Sequence, residues 1–266
     1  MALTPKVMGI VNVTPDSFYA SSRTSATLDA IARGRTLFEC GADLVDVGGE
    51  STRPGAEVVS VDEELRRVVD VVAALSPLGP VSIDTQKEAV ARQAVAAGAT
   101  MINDVSSTLA EVAGELRTAY VGMHRQGSSA TMQDDPRYDD VVAEVGEFLD
   151  RVAVRARTAG VTELYLDPGI GFGKTVHHNL ALLAGTATLV ERAARHGAGL
   201  LVGTSRKRFL GTLSTAPLDV DDRLEGSIAT EAFALCHGAA MVRVHDIEAA
   251  VQLRELIIRP LEEVSS

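Results

Sequence analysis

The chain has 266 residues, 46% of them hydrophobic, with no Trp and 4% aromatic residues. That length suits one large α/β domain or two small ones, with a core of Ala, Val, Leu and Ile. Lys and Arg number 25 against 36 Asp and Glu, a net charge of -11, which disfavours nucleic-acid and anionic-membrane partners and leaves any anionic substrate to seek a local basic pocket.

In chain order the pattern predicts a strand at Lys6–Val11 ending at Asn12, then a helix from Ser25 to Gly41. A strand at Asp43–Val47 runs into Gly48-Gly49-Glu50-Ser51-Thr52-Arg53-Pro54-Gly55. Val61–Leu75 has helical spacing, with Glu63, Glu64, Arg66 and Arg67 on its wet side. A strand at Pro80–Ile83 ends in Asp84, a helix at Lys87–Ala97 is closed by Gly98, and a strand at Thr100–Ile102 ends in Asn103-Asp104. A short helix at Leu109–Leu116 precedes the strand Ala119–Met123, which ends at His124. Arg125–Asp139 is expected to be an ordered loop, and Asp140–Ala159 a helix. Leu164–Leu166 is a strand ending in Asp167, followed by a glycine-rich loop and one helix through Leu180–Val190. Then come a strand at Gly199–Val202, a helix at Leu224–Cys236, a strand at Met241–Val244 and a helix at Ile247–Ile258. Cys40 and Cys236, the two cysteines, lie in small-residue helical stretches and are expected reduced and buried. The early first strand leaves no room for a leader peptide, and no apolar run approaches a membrane span, so a cytoplasmic location is expected.

Eight strands alternating with eight helices predict a parallel sheet, and that count over this length predicts a single (β/α)8 TIM barrel, residues 1–266, with its ligand site at the C-terminal face of the strands. A doubly wound open sheet is the rival, but it does not require eight evenly spaced units. The loop Asp167-Pro168-Gly169-Ile170-Gly171-Phe172-Gly173-Lys174-Thr175 is neither of the familiar phosphate motifs. A P-loop would need glycine at Pro168, and a dinucleotide fingerprint would need G-x-G-x-x-G rather than G-x-G-x-G.

In a barrel every strand exit faces one bowl. The exits read Asn12, Asp46, Asp84, Asn103, His124, Asp167, Ser205 with Lys207, and Arg243 with His245. Asp84, Asn103, Asp167 and Lys207 match the donors and acceptors of a flat heterocycle. Asn12, Arg53, Arg206, Arg243 and His245 offer anion-binding groups. Against these stand plainer roles: Asp46 fixing a turn, Arg206 structural, His124 a core residue, His177 and His178 capping or surface residues. No His/Cys/Asp/Glu cluster has zinc spacing, whereas a Mg²⁺ shared with substrate phosphates needs few protein ligands.

Eight segments, in order and at every strand exit, resemble dihydropteroate synthases: Asn12–Phe18, Gly48–Gly55, Ser82–Thr85, Ile102–Asp104, Met123-His124, Asp167–Lys174, Ser205–Phe209 and Arg243–Asp246. The resemblance implies a cytoplasmic, homodimeric folate-pathway transferase, the target of sulfonamides. It joins 6-hydroxymethyl-7,8-dihydropterin diphosphate to 4-aminobenzoate and releases pyrophosphate. It implies a pterin site at Asp84, Asn103, Met123, Asp167, Phe172, Gly203, Lys207 and Arg243, and a diphosphate site at Asn12, Arg243 and His245 with Mg²⁺ beside Asn12. It places aminobenzoate against Thr52, Arg53, Pro54 and Lys207, and gives Lys207, Asp84, Arg243 and His245 the catalytic roles. Two departures stand out. Ala20 replaces an acid of the family's first loop, with Ser21 and Ser22 for its glycine pair, and the segment Val105–Thr108 is short. The first makes a low-activity pterin-binding paralogue an alternative, and the second questions packing near the fourth and fifth strands. A methyltransferase-type pterin barrel should lack the Ser205-Arg206-Lys207 cluster, and a Schiff-base aldolase would use Lys207 as nucleophile.

Overall fold

The computed structural model describes residues 4–13, 20–51 (backbone alone for 20–25), 59–127 and 131–258. Eight parallel strands pair in sequence order and close on themselves, β1 against β8. They are β1 Lys6–Asn12, β2 Leu44–Gly48, β3 Val81–Asp84, β4 Met101–Asp104, β5 Ala119–Met123, β6 Leu164–Asp167, β7 Gly199–Val202 and β8 Met241–Val244. The helices outside are α1 Ala20–Glu39, α2 Val61–Leu75, α3 Glu88–Ala96, α4 Ala110–Leu116, α5 Val141–Thr158, α6 Val176–Ala184, α7 Thr186–Arg195, α8 Arg208–Gly211, α9 Leu224–Cys236 and α10 Ile247–Ile258. A 3-10 turn, Val220–Arg223, precedes α9. The TIM barrel read from the alternation is the fold observed, and no helix among the described residues is long and apolar enough to cross a membrane.

Because strand side chains alternate between faces, each strand gives one set to the helices and one to the barrel axis. The outer set, including Val45, Val47, Val81, Ile83, Ile102, Val202 and Val242, joins the buried faces of the helices in one core. The inner set forms a separate apolar plug of Met8, Leu44, Met101, Val121, Tyr165, Leu201 and Met241. Two residues further along those strands the inward positions change character: Asp46, Asn103, Met123, Asp167, Gly203 and Arg243 follow the plug residues of β2 and β4 to β8. Asp84 ends β3 in register with Asn103. The chain thus stacks a polar layer on an apolar one along a single axis.

Several expectations need correction. The single helix after Thr175 is two, α6 and α7, divided at Gly185, and α8 and the 3-10 turn were not foreseen. Helix α1 begins at Ala20 rather than Ser25. Glu64 does not face water: α2 buries it with Val68, Val71, Val72 and Leu75. The cysteines are free as expected but not buried, since Cys40 is half-buried and Cys236 exposed. The short segment after β4 leaves the barrel intact, with β4 and β5 paired from Met101↔Ala119 to Asp104↔Gly122. Buried Asp104 stabilises that segment by accepting from the Ser106 and Leu109 amides at 2.8 and 2.7 Å and from the Tyr120 hydroxyl at 2.9 Å.

Candidate active site at the C-terminal face of the barrel

Arg243 organises the polar layer. Its Nε donates to Asp46 Oδ2 at 2.6 Å and its Nη2 to Asp84 Oδ2 at 2.9 Å. Asn103 Nδ2 donates to the same Asp46 oxygen at 2.9 Å. Asp46 is fully buried, and its other oxygen has no hydrogen-bond partner. The turn-fixing alternative for Asp46 therefore gives way to a place within the site, holding Arg243 and Asn103 from below. Burial pushes the Asp84 carboxyl up to about 7, with Arg243 opposing and Asp46 adding. Burial also works against charge on Arg243, but Asp46 and Asp84 beside it hold its proton on.

Asp167, at the end of β6, and Lys207, just before α8, lie within electrostatic reach of each other and of Arg243. Burial raises the Asp167 carboxyl, although Lys207 and the Gly169 N–H, which it accepts at 2.7 Å, oppose the shift. Burial lowers the Lys207 ammonium to about 8, with Asp167 opposing. Its Nζ donates to the Ile170 carbonyl and lies 4.6 Å from the Phe172 ring centroid, a cation–π contact. Met123 is buried and pairs in register with Asp167. At Gly203 an added Cβ would meet the Arg243 Cβ at 3.7 Å, an ordinary van der Waals contact.

The glycine-rich loop needs its glycines. Gly169, Gly171 and Gly173 have φ of 64, 86 and 61°, and a Cβ at Gly169 would collide with the His124 carbonyl oxygen. Lys174 fills the inside of the turn: its Nζ donates to the Gly169 and Phe172 carbonyls, each at 2.9 Å, and lies 3.0 Å from His124 Nδ1. Burial lowers the Lys174 ammonium to about 7 and, with Lys174 adding, the His124 imidazole to about 3. His124 is thus a buried, neutral core residue, the plainer of its two readings. Asn179 Oδ1 accepts the Gly171 N–H at 2.7 Å. Neither Lys174 nor Asn179 was singled out from sequence, because each acts on loop backbone from inside the fold.

At the β8 exit, Ser205 Oγ accepts the His245 N–H at 3.1 Å and lies 3.2 Å from His245 Nδ1. Arg206 is structural, as its crowded neighbours suggested: it grips Asp246 with Nε at 2.9 Å and Nη2 at 2.7 Å, and reaches Asp221 at 2.9 Å. His178 caps α6 with Thr175. Asn12 is exposed at the C-terminal end of β1. Thr52, Arg53, Pro54 and the loop Thr14–Phe18 lie outside the described residues, as does the Ala20 side chain.

The acid–amide–cation layer over an apolar plug gathers donors and acceptors at the C-terminal face of a parallel barrel. The profile of the pterin binding enzyme family matches residues 8–245. The dihydropteroate synthase of Escherichia coli (strain K12) is 42% identical over 261 residues, covering 95% of this chain and 90% of that protein. A Yersinia pestis dihydropteroate synthase in a sulfonamide drug complex superposes with a TM-score of 0.86 at 40% identity, covering 96% of this chain and 93% of that one. A Xanthomonas albilineans dihydropteroate synthase with 4-aminobenzoic acid gives a TM-score of 0.85 at 45% identity, covering 95% and 91%. The chain belongs to the pterin-binding enzymes and, within them, to the dihydropteroate synthases.

Proposed function

We propose that the chain condenses 6-hydroxymethyl-7,8-dihydropterin diphosphate with 4-aminobenzoate, forming 7,8-dihydropteroate and pyrophosphate. The observation that carries this reading is the gathering of Asp84, Asn103, Asp167, Lys207 and Arg243 in one layer at the mouth of the barrel. Carboxylates accept the ring N–H groups, while Asn103 and Lys207 meet ring nitrogens and the carbonyl. Arg243 stacks on the ring, and Gly203, Met123 and Phe172 line the pocket. Asn12, Arg243 and His245 receive the diphosphate, and Thr52, Arg53, Pro54 and Lys207 border the aminobenzoate.

In the reaction the C–O bond to diphosphate breaks first, leaving a pterin cation; the amine then attacks the methylene carbon and loses a proton. Arg243 and His245 stabilise the departing negative charge, and Asp84 and Asp167 the positive charge left on the ring. Lys207, with its lowered pKa, can hold a proton at the pterin edge. Among the described residues no group of three or more His, Cys, Asp or Glu could hold a metal ion. Asn12 offers a single amide oxygen. Asn12 would hold a Mg²⁺ that came with the diphosphate, and the ion would supply neutralisation of phosphate charge. The reading includes a cytoplasmic homodimer.

The test is pyrophosphate release from the pterin diphosphate with and without 4-aminobenzoate. Release that depends on both substrates is the expected result. A chain that binds pterin but releases none in either case would support the low-activity paralogue instead.

A further inference from the structure

Two lysines outside the polar layer keep different company. Lys87 meets two carboxylates, those of Glu50 and Glu64. Lys174, buried in the loop after β6, meets backbone: its Nζ donates to the Gly169 and Phe172 carbonyls at 2.9 Å each and lies 3.0 Å from His124 Nδ1. Three acceptors around one ammonium match its three donors. An apolar side chain of the same length would fill the turn as well, but would leave those acceptors without a donor. The other side of the same loop belongs to Lys207. The Ile170 carbonyl accepts from Lys207 Nζ, and the Phe172 ring centroid lies 4.6 Å from that atom. A Cβ on Gly171 would come within 3.0 Å of Lys207 Cδ, so the loop backbone lies directly against the Lys207 stem. Phe172 thus meets one lysine through its carbonyl and the other through its ring. Gln133 and Tyr138 donate to the Gly171 and Gly173 carbonyls at 2.8 and 2.9 Å, and Asn179 accepts the Gly171 N–H at 2.7 Å. Those bonds anchor Gly171 and Gly173, so a change at Lys174 falls on the residues beside the anchors, Ile170 and Phe172.

We propose that Lys174 is a positioning residue that sets the place of the Lys207 ammonium, acting through the Ile170 carbonyl and the Phe172 ring. The loop is one layer of backbone shared by two ammonium groups, one facing the fold and one facing the polar layer. The proposal rests on the reading of Lys207, beside Asp167 and Arg243, as part of the pterin site.

A double-mutant cycle tests it, with kcat/KM for the pterin diphosphate and the melting temperature as readouts. Lys207→Met should lower kcat/KM by about a hundredfold and Lys174→Met by about tenfold, both on the scale of one charge-assisted bond. Once Lys207 is already Met, Lys174→Met should cost less than about twofold, because its effect travels through a group no longer there. A merely structural role would make the two losses multiply to about a thousandfold. That result, or a folded Lys174→Met with wild-type kcat/KM, would overturn the proposal. Should Lys174→Met not fold, His124→Leu decides, since it takes one acceptor from the ammonium and leaves the carbonyls in place. A loss of about threefold that vanishes beside Lys207→Met supports the proposal; no loss, or one that multiplies, overturns it. If Lys207→Met itself leaves kcat/KM unchanged, it is the pterin assignment of Lys207 that fails.

Discussion

Replacing Asp46 by asparagine should move the acid limb of the pH profile in a direction that simple loss of a contact would not give. One guanidinium spans Asp46 and Asp84, at 2.6 and 2.9 Å, so the two carboxylates lie roughly 6 Å apart. At an effective dielectric of about 20 their repulsion is about 3 kcal/mol, or about two pH units. Asp84 keeps 12% side-chain exposure at the open face, and water there cuts the effect to about one unit. The introduced amide can place its oxygen toward Arg243 and Asn103, with its nitrogen where the partnerless Asp46 oxygen now sits. In the proposed pterin role ionised Asp84 is the stronger acceptor of a ring N–H, so in the wild type kcat/KM for the pterin diphosphate should fall as pH drops through about 7. In Asp46→Asn, with a repelling charge gone, the same fall should occur about one unit lower. The plateau should drop by about 1.5–3 kcal/mol, roughly ten- to a hundredfold, because Arg243 loses a charged acceptor. Pyrophosphate release measured between about pH 5 and 9 reads both quantities. A limb that stays at about 7 or moves upward would refute the shared-guanidinium account of Asp84.

Glu231 on α9 is buried, with one oxygen lacking a hydrogen-bond partner, and burial, with Asp246 adding, pushes its carboxyl up to about 8. A folded pKa above the unfolded value gives stability that is full below the unfolded pKa and is lost as pH rises toward 8, by at most about 1.4 kcal/mol per unit. Glu231→Gln should therefore melt higher than wild type by a margin that widens from about pH 5 to 8; a margin independent of pH would contradict this. Gly169→Ala, at φ 64° and against the His124 carbonyl, should destabilise the fold by about 1–3 kcal/mol and weaken pterin binding, and calorimetry with both unchanged would count against the loop geometry. Ala20→Asp, restoring the acid usual in the family's first loop, should raise kcat by about ten- to a hundredfold with pterin affinity unchanged; no gain in kcat would show that this chain needs no acid there.

The barrel was legible because most of its units announce themselves: an apolar run, a polar exit, a helical repeat, often a glycine stop. Parity carried the site as well. Asp46, Asn103, Asp167 and Arg243 each stand two residues beyond an inward apolar side chain, and the same count would have separated Asp46 from a turn residue. Glu64 was misread because α2 carries Glu63, Glu64, Arg66 and Arg67 in one charged run, and helical spacing says which residues share a face, not whether a lysine from the next unit will meet one of them. Lys174 was hidden for a similar reason. Its partners are backbone carbonyls of its own loop, and such bonds leave no pattern of residue types to read. Gly185 dividing α6 from α7 was open to view, since a glycine within an apolar repeat can close one helix as easily as be tolerated in another.

The apolar plug of Met8, Leu44, Met101, Val121, Tyr165, Leu201 and Met241 closes the axis below the polar layer. With the axis shut from below, ligands would reach the polar layer from the C-terminal face of the strands. In the proposed pterin site, a molecule on Asp84 and Asp167 would be first in and last out, so depth along the axis becomes order in time. Turnover in such a vessel is a queue, and its slowest step can be the departure of the deepest product rather than the making of a bond.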